Sequence, residues 1–174
     1  INKIQNKYNM NKFYLSCIKN NIDIDTIKKK YNNDILKSDK NGLTCAHYCA
    51  IFENYDLMFS IINEYPSVIN YLNNNGETIL WYINNLEILN KLLNLTCDKN
   101  LLNVISFQNE TILINLIKKF FDNKDINNLT GYITLIKKLL KKGASPSIPK
   151  NNSLLINIIE SYFNNKKHFG KKIK

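Results

Sequence analysis

The stretch Lys40–Tyr65, "KNGLTCAHYCAIFENYDLMFSIINEY", sets a turn pair (Asn41-Gly42), a threonine (Thr44), a histidine (His47) and the small residues Ala46, Cys49 and Ala50 before an apolar run. The same order returns downstream. "NNGETILWYI" places Thr78 34 residues after Thr44, and "FQNETILINLI" places Thr111 33 residues after that. "PKNNSLLINII" then puts Ser153 in the same place after a further 42 residues. A register regained twice at 33 or 34 residues marks a repeat array, in which each unit is one small supersecondary element. The longer third interval contains the polar stretch Phe121–Gly131. Within it, Asp122–Thr130 shows no apolar periodicity and is expected to be an extended surface loop between that unit's two helices.

Every match opens a short helical pattern, and a second one follows. Leu57, Ile61 and Ile62 recur at helical spacing after the first match, and Leu86, Leu89, Leu92 and Leu93 after the second. After the third, "YITLIKKLLKKGASPS" places Ile133, Ile136, Leu139 and Leu140 on one stripe, which ends at Gly143 with Pro146 just beyond. The unit is therefore turn, helix, helix. Gly42 and Gly76 supply positive backbone φ in the turns. Thr44, Thr78, Thr111 and Ser153 bring hydroxyls to helix starts, where unpaired N–H groups need an acceptor. Ala46, Cys49 and Ala50 let neighbouring helices approach closely.

These units resemble the ankyrin repeat. "DKNGLTCAHYCA" (Asp39–Ala50) meets that family's D-x-x-G-x-T-P-L-H-x-A-A pattern at Asp, Gly, Thr, His and the final Ala. "LLKKGAS" (Leu139–Ser145) meets its late leucine–Gly–Ala signature, and the likeness covers roughly residues 11–163. It implies an all-α, helix-turn-helix solenoid of about four to five repeats joined by short turns or hairpins. Residues 1–37 would form a degenerate N-terminal cap, "FYLSCIKNNIDIDTIKKKY" being helix, Asn-rich turn, helix. Repeats would follow at 38–72, 73–105, 106–147 and 148–163, with a basic tail at 164–174. In the family the histidine links one turn to the next by hydrogen bonds, a role that falls here on His47. The departures are clear. Trp81, Ile114 and Ile156 replace that histidine, and Cys45, Ile79, Ile112 and Leu154 replace the proline at the helix start. Glu53 stands where the family has a mid-unit glycine, and "WYINNLEIL" is about three residues short, so its first helix or the turn after it must be clipped.

Composition fits a foldable chain, with 44% hydrophobic and 22% charged residues, and 5 Gly and 3 Pro leave no linker between domains. Asn, Ile and Lys are over-used, the coding bias of an AT-rich genome such as that of a protist or a large DNA virus. The formal charge is +10, yet every basic residue is Lys. Specific nucleic-acid readout favours the bidentate Arg fork, so its absence argues for non-specific attraction at most. Cys17, Cys45, Cys49 and Cys97 form no C-x-x-C pair and no disulfide framework, so buried free thiols in a reducing, intracellular, cytoplasmic setting are expected. Cys45 and Cys49 would share a helix face, but His47 between them points away, so the metal reading is set aside. No apolar run is long enough to span a bilayer. The chain opens on Ile1 rather than Met, as a fragment of a longer protein would.

There is no Ser/His/Asp constellation, no dinucleotide fingerprint, no P-loop and no paired carboxylates, so neither catalytic residues nor a cofactor are expected. His47 is assigned to that inter-turn link rather than to catalysis, Trp81 to core or inter-repeat packing, and His168 to the tail. The resemblance implies protein–protein binding through turn tips and the exposed side of the first helices. The residues concerned are Lys40, Asn41, Leu43, Ile51 and Phe52, then Asn74, Asn75 and Glu77, then Phe107, Gln108, Glu110, Lys118 and Lys119. Two alternatives stand beside it. One is a basic nucleic-acid-associated protein using the lysines of 28–30, 137–142 and 166–174; the other is the targeting arm of a larger enzyme or effector.

Overall fold

The computed structural model describes residues 12–17, 22–31, 34–95, 98–122 and 126–147. Among these residues all regular secondary structure is helical, with no strand. The expected unit 148–163, the tail 164–174, Cys97, His168 and the first part of the expected cap lie outside them. The chain divides into two compact units, Ile1–Thr96 and Cys97–Lys174. The division falls inside the expected repeat 73–105, where no Gly- or Pro-rich linker marks it.

The first unit holds α1 (Lys12–Cys17), α2 (Ile24–Tyr31), α3 (Cys45–Ile51), α4 (Tyr55–Glu64) and α5 (Leu86–Leu95). Its centre is α3, whose residues from Cys45 to Ala50 are all buried. Small side chains make that burial feasible, since they let α1 and α4 close on both sides of α3. On α4 the apolar stripe Leu57, Met58, Ile61 and Ile62 faces inward, as the helical spacing requires. On α5, Leu89, Leu92 and Leu93 are buried and Leu86 is half-buried. The shortening expected after Thr78 is met by a single 3₁₀ turn, Ile79–Tyr82, in place of a full first helix.

The end of α3 is capped without a glycine. Asn54 N–H donates to Cys49 C=O at 2.8 Å and Glu53 N–H to Ala50 C=O at 3.3 Å, the paired bonds of a Schellman C-cap. Glu53 occupies the left-handed position, φ 61°, which glycine normally fills.

The expectation of free thiols fails for two cysteines. Cys17 and Cys45 form a disulfide, their Cα atoms 5.9 Å apart, while Cys49 is free and buried. Sequence spacing gave no hint of it, because the bond depends on α1 lying against the first turn of α3. The argument for a reducing compartment from free thiols loses its basis accordingly.

The second unit holds α6 (Lys99–Leu102), α7 (Ile112–Asp122) and α8 (Ile126–Lys141), with α7 and α8 packed together. The expected loop Asp122–Thr130 is corrected here: α7 runs to Asp122 and α8 already begins at Ile126. Leu129, Tyr132, Ile136 and Leu139 continue one helical row at spacings of three and four, and that row overrides the polar composition. The stripe is corrected as well. Leu135 and Leu139 are the buried pair of α8, whereas Ile133 is 42% exposed and Leu140 43%. The helix ends as expected, with Gly143 at φ 98° and Ala144 N–H on Leu139 C=O and Gly143 N–H on Leu140 C=O, both 3.0 Å.

Candidate interaction surface

Three turns repeat one hydrogen-bond pattern at the sequence interval. In the first, Asp39 N–H donates to Leu43 C=O (2.9 Å) and Gly42 N–H to Asp39 C=O (3.0 Å). In the second, Asn73 N–H donates to Glu77 C=O (2.9 Å) and Gly76 N–H to Asn73 C=O (3.0 Å). In the third, Ser106 N–H donates to Glu110 C=O and Asn109 N–H to Ser106 C=O, both 2.9 Å. The left-handed residue is Gly42 (φ 78°), then Gly76 (φ 75°), then Asn109 (φ 61°), asparagine being the residue that tolerates this region best after glycine.

The side chain at each turn's first position decides how firmly the loop is held. Asp39 Oδ1 accepts from Asn41 N–H (2.9 Å) and Leu43 N–H (2.8 Å). Asn73 Oδ1 accepts from Asn75 N–H and Glu77 N–H, both 2.9 Å. Ser106 takes the same place with a shorter arm, and its buried Oγ has no partner. A tyrosine hydroxyl closes two of the turns: Tyr48 donates to Asp39 Oδ2 (2.8 Å) and Tyr82 to Glu77 Oε2 (2.6 Å). Burial, then the Glu77 carboxylate, pushes the Tyr82 hydroxyl far above its ordinary pKa.

Within the first unit, successive turns stack. Asn74 N–H donates to Asn41 C=O (2.9 Å), and Asn74 Nδ2 to Lys40 C=O (2.8 Å). A Cβ at Gly42 would stand 2.6 Å from Asn74 N, so only glycine allows this approach. His47 adds a second link between the successive turns. Its Nδ1 accepts from Thr44 N–H (3.2 Å) and lies 2.9 Å from Thr44 Oγ1, while Nε2 lies 3.4 Å from Glu77 C=O. A neutral ring protonated on Nε2 satisfies all of these contacts. Burial holds its pKa down at about 4, against smaller opposing effects of the Glu77 carbonyl and the Asp39 and Glu77 charges. Thr44 and Thr111 accept from backbone N–H groups three residues on, at 3.5 and 3.4 Å. Thr78, before a 3₁₀ turn, makes no such bond.

The expected surface residues therefore separate by position. Lys40 and Asn41, Asn74 and Asn75, and Phe107 and Gln108 occupy equivalent tip positions, and all are exposed. The residue after the left-handed position faces inward: Leu43 and Glu110 are buried and Glu77 is half-buried. Glu110 is paired with Lys118, which is half-buried like Lys119. Ile51 and Phe52 lie at the far end of α3, roughly 10 Å along the helix from the first turn. Phe52 stacks on Tyr48 at 6.5 Å and so contributes to packing. Trp81 is buried.

Two exposed apolar residues beside the turns do not figure among the expected surface residues. Leu72 (45% exposed) and Ile105 (43%) each directly precede the first residue of a turn. In the second unit this produces alternation along an extended segment: Ile105 out, Ser106 in, Phe107 out, with Phe107 83% exposed. The signal was present in "VISFQ", where apolar residues alternate immediately before a turn.

Among the described residues, no group of three His, Cys, Asp or Glu is placed to hold a metal ion, and no helix is long and apolar enough to cross a membrane. No protein-family model matches the chain, and no curated protein matches it either.

Proposed function

We propose that the chain is an ankyrin-like repeat module that binds another protein through its turn tips, without catalysis or cofactor. The reading draws on the turn that recurs with the same two backbone bonds at 39, 73 and 106, and on the His47 link to Glu77. The single observation that carries the binding role is the Ile105–Phe107 pair, two large apolar side chains held outward beside exposed Gln108. A phenylalanine left this exposed at a turn tip suits the anchor of a protein contact. We place the module inside the cell, where the Cys17–Cys45 pair would meet both oxidants and reductants. Such a module also serves as the targeting arm of a larger enzyme or effector.

The experiment is affinity capture by the full chain with mass spectrometry, run in parallel with Phe107→Ala. A partner retained by the wild type and lost with Phe107→Ala supports the proposal; a partner set unchanged by that substitution overturns the role of the tip. A second reading, electrostatic association with nucleic acid, has one observation in its favour: α8 carries no carboxylate and exposes Lys137 and Lys141.

A further inference from the structure

We propose that Cys17 and Cys45 form a redox-set lock that fastens α1 over α3 and controls access to the buried face of the first repeat. The inference does not depend on the partner or on the family. Helix α1 depends for its place on the elements it touches, α3 first among them. Non-covalent contacts meet it at both ends. The Tyr14 ring lies 4.9 Å from that of Tyr48, and the Tyr14 hydroxyl reaches Lys37 C=O only at 3.4 Å. At the other end, Cys17 C=O accepts from Asn54 Nδ2 (3.0 Å) and Cys49 Sγ (3.4 Å).

The disulfide adds a covalent link across 28 residues, at the end of α1 where Asn54 and Cys49 also meet it. Cys45 opens α3, at the place where the resembled family has proline, so the bond reaches the helix that forms the centre of the unit. Cys17, Cys45 and Cys49 are all fully buried. Oxidation is balanced by a disulfide oxidant such as glutathione disulfide. The two thiols release two protons and two electrons as the S–S bond forms, and the oxidant's S–S bond breaks to give two glutathione thiols. A dithiol reductant reverses it. In the dithiol state α1 loses its covalent tie and is held by non-covalent contacts alone, among them the Tyr14–Tyr48 ring pair, so the face of α3 carrying Tyr48 and Cys49 opens more often.

The test uses the full chain equilibrated with glutathione disulfide or with dithiothreitol, the small thiols then removed. Peptide mapping should find Cys17 joined to Cys45 in the oxidised sample, with Cys49 unlinked. Pulsed iodoacetamide should label Cys49 at least about tenfold faster in the dithiol sample, because labelling follows opening of its cover. Hydrogen exchange at Leu89–Leu93 in α5 should be the same in both, showing that the unit stays folded. Cys17→Ser should label Cys49 at the fast rate whatever the oxidant. Two results overturn the proposal: Cys17 and Cys45 found unlinked after oxidation, or Cys49 equally protected in both redox states.

Discussion

Glu53 and Ser106 each stand in a place that another residue fills better, and each makes a quantitative expectation. Glu53 holds the left-handed cap of α3 at φ 61°, a conformation that costs a non-glycine residue about 1 kcal/mol. Its side chain is exposed, so Glu53→Gly should stabilise the first unit by about 0.5–1 kcal/mol, measured as a higher urea midpoint at unchanged slope. Ser106 leaves its own buried Oγ without a partner where Asp39 and Asn73 each brace two backbone N–H groups. Ser106→Asn should therefore raise stability by about 1 kcal/mol, and a loss would show that the third turn has no room for the longer arm. His47 is the residue that ties stability to pH. Folded, it titrates at about 4, well below its ordinary 6.5. Between those values the unfolded chain binds the proton and the folded one does not, so acidification favours unfolding. Its contribution is complete above about pH 6.5 and is lost as pH falls towards 4, on the order of 3 kcal/mol. Urea titrations across that window should show the loss, and His47→Gln should flatten it.

At the scale of elements, recurrence was legible where the physical cause is local. Turn chemistry, the Thr44 cap and the Gly143 stop are all encoded within a few residues, and each stands in the structure at its expected place. What could not be read depends on packing partners distant in sequence. The Cys17–Cys45 bond needs α1 against α3, and nothing in the cysteine spacing states that arrangement. The register of α8 was misjudged for a related reason. Ile133, Ile136, Leu139 and Leu140 make a plausible stripe, but so do Leu135 and Leu139, and only the position of α7 decides between them. The polar run before it hides the helix start at Ile126, because its Asn residues carry no apolar signal ahead of the row that Leu129 begins. The corrected register separates two substitutions. Leu135→Ala removes a side chain that is 2% exposed and should destabilise the second unit by about 2–4 kcal/mol. Ile133→Ala, on the exposed face, should stay within about 0.5 kcal/mol. Equal effects in thermal unfolding of the two variants would return the stripe to its sequence-derived position.

For the molecule as a whole, the competing roles predict opposite responses to salt and to one aromatic ring. The chain carries a formal +10 with no Arg, so a charge-driven partner would be held by lysines acting as point charges. Binding of that kind weakens by a slope of roughly −0.7 to −0.9 in log affinity against log salt for each phosphate neutralised. Part of the charge is already engaged among the described residues: Lys28 pairs with Glu64 at 2.5 Å and Lys118 with buried Glu110. Lys137 and Lys141 remain exposed on α8, and Gln at both should remove a large part of any nucleic-acid affinity. A protein partner anchored by Phe107 should behave differently. Phe52 is the poorer probe, because it stacks on Tyr48 and its removal mixes binding with packing. Phe107 is 83% exposed, so Phe107→Ala should leave the unfolding midpoint unchanged within about 0.5 kcal/mol. The same substitution should weaken the captured partner by about 1–3 kcal/mol with little dependence on salt, while Lys137→Gln with Lys141→Gln leaves it bound. Calorimetric titrations of the three proteins at two salt concentrations separate the outcomes. Binding that survives Phe107→Ala yet collapses with the lysine pair and with salt would assign the surface to polyanions.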